Sequence, residues 1–506
     1  MNNNVTVPSS PKHPKGLAVL FATEMWERFN YYGMRAILVL YMTKALFFDK
    51  AFASNLYGSY TSLSYLTPLI GGYIADRYWG NRRSIITGGL VMAIGEFILF
   101  ICASVYSTQP QLSTFLFFTG LGVMIAGNGF FKPNISSLVG QLYPKGDRRI
   151  DAAYTIFYMG INVGGALGPF VCGMVGDTGN PADFKWSFLC AGIGMLISVA
   201  IQKAFHHKYV VAPDSGKVLG LTPENTPRRV IAPLFIILGM VAFAVITTGA
   251  LYADAKVFSY LTYLLAAAAL FIAFIVFSDK TLNKIEKQRI GVIFIVSFFV
   301  IFFWSAYEQA GASLTFFAEE QTQRNLGFWT VPASLFQSLN SIFIICFAPV
   351  LAWLWIKLGK REPSSPAKMA GGLFFLALGY LWIAFGVKGV APGIKVSMIW
   401  LTGMYALHTV GELFLSPIGL SLVNKLAPLK FASLLMAVWF LANAAANKLA
   451  GVLSSLYPDN GRITNFLGYH MSDMYDFFML FVIMAGVASL ILFLISRKLS
   501  KLMEGA

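Results

Sequence analysis

The sequence predicts an all-α protein that crosses a membrane roughly fourteen times. Three observations predict it. The chain of 506 residues is 57% hydrophobic and only 12% charged, where a soluble domain carries about 25% charge. Its mean hydropathy is +0.66, a balance that calls for a lipid solvent and not for a larger water-soluble core. Its basic residues, finally, gather in alternate loops.

A spanning helix needs about 20 apolar residues at ~1.5 Å rise each. Runs of that kind fall near 17–46, 55–76, 84–106, 113–141, 152–175 and 186–205. Two very apolar runs follow near 231–252 and 257–278. Six more lie near 290–317, 332–356, 369–388, 395–424, 430–456 and 474–497. The order is six, two, six. It divides the chain into an N-terminal six-helix bundle over residues 1–205, a linker with two extra spans over 206–289, and a C-terminal six-helix bundle over 290–506. Pro213, Pro223 and Pro227 mark the polar stretch from His206 to Arg229 as the start of that linker. Two inserted spans preserve orientation, because an even number returns the chain to the side it left.

With a cytoplasmic N-terminus, the inside loops hold Lys12 and Lys15, then Arg77, Arg82 and Arg83, then Lys145, Arg148 and Arg149. They also hold Lys203, Lys208, Arg228 and Arg229, and later Lys280, Lys284, Lys287 and Arg289. Lys357, Lys360, Arg361, Lys368, Lys425, Lys430, Arg497, Lys498 and Lys501 complete the inside set. The outside loops hold chiefly Lys44, Lys50, Lys185, Arg324 and Arg462, mostly near acids such as Asp49, Asp183 and Glu319. Loops rich in Lys and Arg stay inside, so both termini are expected in the cytoplasm. The net charge of +15 is then a topology signal and no nucleic-acid footprint. Targeting is expected to be internal: Met1 to Lys15 is polar, and the first apolar run carries charges that a signal-peptide core would not.

Several residues read as structural. Cys102, Cys172, Cys190 and Cys346 lie in apolar runs without CxxC spacing and are expected to be buried and unpaired. His206 and His207 read as solvated helix-end residues, since two ligands do not make a metal site. No Ser, His and Asp constellation stands out in the loops, so no enzyme, metal or cofactor is expected. Gly127-x-Gly129 sits in an apolar helix with no preceding strand and is no phosphate loop.

The informative residues are the charges inside spans. Each costs at least ~2.5–3.5 kcal/mol near a helix centre on insertion scales, so such residues are usually paired or functional. They are Glu24, Glu27, Arg28 and Arg35 in the first span, Glu96 in the third, Lys132 in the fourth, Glu308 in the first span of the second half, and His408 with Glu412 in its fourth. From Glu24, the offsets to Glu27, Arg28, Tyr31, Tyr32 and Arg35 put all six residues on one helix face. A single structural ion pair would not need four charges there. Arg35 and Glu308 both lie ~18 residues from the inside ends of their helices, near ~27 Å depth. Lys132 and Glu412 also match in depth, counted from outside. The expectation is two pairs between the halves, Arg35 with Glu308 and Lys132 with Glu412, made and broken as the halves rock. The apolar setting of Glu412 suits a proton carrier, with His408 one turn away in a packing role. Glu96 has no evident partner in the sequence.

The motifs around these residues resemble a known family. Gly72-Tyr-Ile-Ala75-Asp76-Arg77-Tyr-Trp-Gly80-Asn-Arg82-Arg83 is similar to the major facilitator loop signature. Glu24-x-x-Glu27-Arg28-Phe-x-Tyr31-Tyr32 resembles the ExxERFxYY motif of the proton-dependent oligopeptide transporters. Gly127-Asn-Gly129-Phe-Phe-Lys132-Pro133-Asn134 and Phe157-Tyr158-x-x-Ile161-Asn162-x-Gly164 resemble that family's fourth- and fifth-helix motifs. Phe303-Trp304 with Glu308-Gln309, Phe336-Gln337-x-x-Asn340, Gly411-Glu412-Leu-Phe-Leu-Ser416-Pro417 and Trp439-Phe440 continue the series in order.

The resemblance implies the major facilitator fold, two six-helix bundles plus two additional spans, and symport of di- and tripeptides with protons by alternating access. It implies that charges of the loop signature pair across the cytoplasmic gate. It implies that Arg28, Arg35 and Lys132 hold the peptide carboxylate, while Asn162, Asn340 and Glu308 hold its amino terminus. Tyr31, Tyr32, Tyr65, Tyr158, Trp304 and Trp439 would line side-chain pockets, and Ser416 would join the substrate-binding set. Glu24, Glu27, Arg28, Lys132 and Glu412 would couple the proton. The physics fits: a zwitterion needs opposite charges at the ends of a cavity, and Arg suits a carboxylate fork. The extra spans, the short connection from Lys388 to Lys395 and the absence of histidine between Leu56 and Asp76 resemble bacterial members. The setting implied is a monomer in the lipids of a bacterial inner membrane. A carrier of nitrate or another small anion, a drug exporter and a non-transporting peptide receptor stand as alternatives.

Overall fold

The computed structural model describes residues 12–144, 146–147, 149–257, 260–391, 393–459 and 462–503. Lys145 and Arg148, expected in an inside loop, lie outside the described residues. The N-terminal bundle comprises α1 (Lys15–Lys44), α2 (Lys50–Ile74), α3 (Asn81–Val105), α4 (Pro110–Gln141), α5 (Ile150–Gly176) and α6 (Phe184–Tyr209). The inserted pair is α7 (Pro233–Val257) and α8 (Tyr260–Ser278). The C-terminal bundle comprises α9 (Lys284–Tyr307), the short α10 (Ser313–Glu320), α11 (Ser338–Leu358), α12 (Ser365–Val387), α13 (Met398–Leu426), α14 (Ala432–Ser454) and α15 (Met474–Met503).

Local signals set several ends. Asp49 caps α2 by accepting from the Phe52 N–H at 2.8 Å. Asn283 and Glu286 form a reciprocal capping box at the start of α9. Among the described residues, eleven helical stretches are long and apolar enough to cross a bilayer on composition alone. One of them runs from Lys284 to Glu320 and unites α9 with α10. α1, α2 and α13 complete the count of fourteen. The apolar side chains that no helix covers, such as Val245, Leu270, Phe274 and Ile356, lie exposed on the outside of the bundle, where lipid is the solvent.

Two departures from the sequence reading bear on the site. The run read as one helix over 290–317 breaks: a 3₁₀ turn at Glu308–Gly311 separates α9 from α10. The Tyr57 hydroxyl occupies the place where a side chain on Gly311 would begin, so α2 presses on the break. Irregular backbone at this depth is tolerated because it is buried in protein. The second departure is the linker. His206 is fully buried and not solvated, with one ring nitrogen 2.7 Å from Gln202 and the other 2.9 Å from the Leu219 carbonyl. The linker then lies against the signature loop, where the Arg82 N–H donates to the Gly220 carbonyl and Thr222 donates to the Trp79 carbonyl. Cys346 is exposed to the lipid side instead of buried, because its helix face is not covered by another helix.

The contacts between the bundles are one-sided. α2 packs on α14 and α5 on α11. Among the described residues, the side-chain hydrogen bonds between the bundles lie in the half of the molecule remote from Lys15. There, Lys44 pairs with Glu319 at 2.5 Å and Lys50 with Glu320 at 2.6 Å and Asp459 at 2.9 Å. Ser334 donates from its N–H and its hydroxyl to Asp177. Two short ladders, Thr322–Gln323 with Val396–Ser397 and Thr464–Phe466 with Tyr469–Met471, cover the same face. On the face where α1 begins, Asp76 and Arg77 are exposed and, among the described residues, make no ion pair. Among the described residues the expected pairing of the signature charges across that gate is therefore not made in this conformation, which is closed on the opposite face.

Within the N-terminal bundle, α2 and α4 touch backbone to backbone: a side chain at Gly71 would meet the Gly129 carbonyl at 2.0 Å, whereas one at Gly72 would meet only Pro133, at 3.5 Å. Gly71→Ala should therefore cost roughly 1–3 kcal/mol by overpacking and lower the apparent melting temperature in detergent. Gly72→Ala should leave it unchanged or raised. Equal effects from the two would contradict the packing described.

Candidate functional site

α1 delivers its charged face to the middle of the molecule as the helical spacing predicts. Glu24, Glu27, Arg28, Tyr31 and Arg35 are all buried there, with Tyr32 partly so. Arg28 Nε lies 3.0 Å from Glu24 and 2.5 Å from Glu27. These are charge contacts without good alignment: Glu24 Oε2, both oxygens of Glu27, and Nε and Nη2 of Arg28 have no hydrogen-bond partner. Buried polar groups are normally satisfied, so an unsatisfied cluster of this kind calls for a functional account. The guanidinium groups of Arg28 and Arg35 both lie within 6 Å of the Tyr31 and Tyr32 ring centres, and the rings hold them by their electron-rich faces.

Arg35 and Glu308 meet as expected, with Nη2 and Oε2 2.5 Å apart. A third residue completes the lock. The Tyr57 hydroxyl of α2 accepts from Arg35 Nε at 2.8 Å and from Nη2 at 2.5 Å. Both charges of the pair are therefore engaged in this state. The roles implied for Arg35, as a carboxylate ligand, and for Glu308, as an ammonium ligand, are not open to them here.

The second expected pair is not made. Lys132 lies with its Nζ 4.3 Å from the Tyr65 ring centre and, among the described residues, forms no ion pair. It remains within charge–charge reach of Glu24, Glu27 and Arg28. Glu412 is held inside its own bundle, where Oε2 accepts from Asn340 Nδ2 at 2.9 Å and from the Tyr307 hydroxyl. The physical reason is the one-sided closure. Lys132 and Glu412 belong to α4 and α13, and those helices are apart where α2 and α14 are together.

The remaining site residues divide in the same way. Asn340 also donates to Thr409 at 3.1 Å, and Asn162 donates to the Tyr158 carbonyl one turn back at 2.9 Å. In both residues it is the amide nitrogen that is engaged, and the amide oxygen is the group that could accept from an ammonium. Tyr158, from the N-terminal bundle, lies within electrostatic reach of Glu412. Trp304 stands edge-on to Tyr307 with ring centres 5.1 Å apart, and Trp439 is buried. Ser416 is half-buried on α13. His408 packs between Tyr380 and Tyr307, with centres 4.7 and 6.2 Å away. Glu96 gains the partner that the sequence did not reveal. Asn30 Nδ2 donates to it at 2.9 Å and to the Ala191 carbonyl at 3.0 Å, tying α1, α3 and α6.

Four residues with clear structural roles escaped the sequence reading. Tyr57 and Tyr307 carry no charge, and nothing in their local sequence marks them. Asp254 lies beyond the seventh apolar run, which ends near 252, and Lys448 lies inside an apolar run, where its charge is a readable signal. The two pair with each other at 2.5 Å.

Two helical bundles with an inserted pair, closed on one face and carrying buried charges between them, define a multi-spanning membrane carrier. Residues 82–466 match the family described as PTR2, POT family. The chain is 37% identical over 475 residues to the uncharacterized transporter YclF of Bacillus subtilis (strain 168), covering 90% of this chain and 92% of that one. It is 30% identical over 518 residues to a di-/tripeptide transporter of Lactococcus lactis, covering 99% of each. A crystal structure of a POT family transporter in complex with a thioalcohol-conjugated peptide superimposes with a TM-score of 0.79 at 32% identity, covering 96% of this chain and 97% of that one. This protein belongs to the POT family, and its fold is the major facilitator fold.

Removing one partner of a buried pair costs ~3–5 kcal/mol, while replacing both by apolar residues is often near neutral. Arg35→Met and Glu308→Met should each lower the apparent melting temperature, and the double variant should recover much of the loss. Strictly additive losses would show that the two side chains are not coupled.

Proposed function

We propose that this chain imports di- and tripeptides together with protons by alternating access, and that it acts as a carrier without enzymatic activity. In this reading it lies in a bacterial inner membrane with both termini in the cytoplasm, works as a monomer among lipids, and needs no cofactor beyond the proton. The face on which α1 begins is then cytoplasmic, and the conformation described is open inward.

The observation that carries the reading is the failure of Lys132 and Glu412 to pair. A cationic group on one bundle and a carboxylate on the other, each without an ionic partner among the described residues, form the complement of a zwitterion. Lys132 and Arg28 receive the peptide carboxylate. Asn340, Asn162 and the deprotonated Glu412 receive its ammonium end. Tyr31, Tyr32, Tyr65, Tyr158, Trp304 and Trp439 accept varied side chains, because apolar walls discriminate by only ~1–3 kcal/mol per methylene. Glu412 is held by neutral donors alone, so it gains and loses a proton without breaking an ion pair. Glu24 and Glu27 share the coupling through Arg28. The Arg35–Glu308 lock must open for the outward-facing state, which frees both residues for substrate at that stage.

A carrier of nitrate or another anion has less support, because the carboxylates at this centre oppose an unaccompanied anion. In proteoliposomes, labelled di-alanine should accumulate when the proton gradient points inward. Glu412→Gln should abolish that accumulation while peptide-for-peptide exchange persists at a reduced rate. No peptide movement under any gradient would overturn the proposal and make nitrate the next solute to test.

A further inference from the structure

The inserted helices present an oddity. α7 and α8 expose apolar side chains along most of their length, as a lipid-facing pair should. Yet α7 carries Asp254, which is 1% exposed and lies in a segment that would otherwise need no charge. A carboxylate there is costly unless compensated, and the compensation comes from the transport core. Lys448 of α14, 2% exposed, places its Nζ 2.5 Å from Asp254 Oδ2 and 2.8 Å from the Ser59 hydroxyl of α2. Ser59 donates to the same carboxylate oxygen, and the Leu261 N–H at the head of α8 donates to Oδ1 at 2.9 Å.

The cluster joins parts that move in different directions. α7 rides on the N-terminal bundle: Thr247 donates to the Gly122 carbonyl at 2.7 Å, and Phe243 meets Phe130 edge to face at 5.7 Å. α8 lies against α14 of the C-terminal bundle. At the other end of α8, Asp279 pairs with Lys430 at 2.5 Å, and that contact holds the Asp279 carboxyl below the usual carboxylate range. The inserted pair therefore straddles the seam. Ser59 and Lys448 flank a backbone-to-backbone contact of that seam, where a side chain on Gly58 would meet the Gly451 Cα at 2.7 Å. Opening this face must part α2 from α14. Lys448 then leaves Ser59, and Asp254 is pulled between the bundle that α7 rides on and the ammonium group that α14 carries. α2 also holds Tyr57 in the Arg35–Glu308 lock, so one helix serves both contacts.

We propose that Asp254, Lys448 and Ser59 form a second lock on the face remote from Lys15, outside the substrate site. The lock makes the inserted pair a positioning element that sets how readily this face opens. The inference rests on alternating access but not on peptide as the cargo, and it is tested without any substrate.

Spin labels at Thr108→Cys and Ile463→Cys, both exposed on this face, report the separation of the bundles by pulsed electron resonance. The background carries Cys190→Ala and Cys346→Ala, and the two buried cysteines stay. Without Asp254→Asn and Lys448→Met, the short separation should dominate. With both, the open-to-closed ratio should rise ~10-fold. Ser59→Ala, which removes one hydroxyl, should raise it ~3-fold, and Lys448→Arg, which keeps the cation opposite Asp254, should keep the closed population. An unchanged distance distribution in a folded, monodisperse double variant would overturn the lock. If the double variant does not fold, an unchanged distribution in Ser59→Ala overturns it instead. A carrier that moved nitrate in place of peptide would still give the predicted distances, so the two readings fail separately.

Discussion

Arg35 cannot stay charged in the middle of a helical bundle without a counter-charge, and the counter-charge comes from the other bundle. That single pair, bridged by the Tyr57 hydroxyl, organises the closed face. It fixes where α9 breaks, because Glu308 begins the 3₁₀ turn that separates α9 from α10. It also fixes which helices meet, because α1, α2 and the break must converge on one point. The ion pairs of Lys44 and Lys50 farther out lie nearer water and are more exposed. They carry less energy and rather more of the alignment. A carrier needs this asymmetry: a strong contact in a dry layer that a change in protonation or partner can release, with weaker contacts above it that yield once it opens.

Much of this organisation was legible in the sequence because membranes make charge conspicuous. The offsets from Glu24 to Arg35 alone put these residues on one face of α1. Depth counting then matched Arg35 to Glu308, and the two meet. The same count matched Lys132 to Glu412, and they do not meet. Depth along the membrane is a one-dimensional quantity, set by rise per residue. It says which groups share a layer and nothing about which side of the layer is closed. The pairing that failed reports conformation, and the pairing that held reports it equally.

What escaped was of two kinds. Tyr57 and Tyr307 are neutral, and a neutral residue in an apolar helix carries no signal until a partner is seen beside it. Asp254 escaped differently. By hydropathy the seventh run ends near 252, which puts its carboxylate in a loop, where a charge costs nothing. The helix in fact continues to Val257, since Asp254 is compensated from a distance by Lys448. Hydropathy ends a helix where apolar residues stop, while the fold ends it where compensation stops. A buried carboxylate near the end of an apolar run is therefore a reason to extend the run and look for its partner.

Compensation at a distance also gives the two inserted helices a reason to persist in the fold. A pair that only met lipid could be apolar throughout, and nearly every position of α7 and α8 is. The buried exception sits at the seam, bonded to both bundles and to the start of α8. Its energetic role comes from burial more than from attraction, because desolvation offsets much of the gain from pairing Asp254 with Lys448. What the pair contributes is a penalty for separation: each charge is tolerable only while the other is near. A contact that stabilises little when made but costs much when broken shapes a conformational equilibrium more than it shapes stability. Placed outside the substrate site, it does so without occupying any group that the cargo or the proton needs.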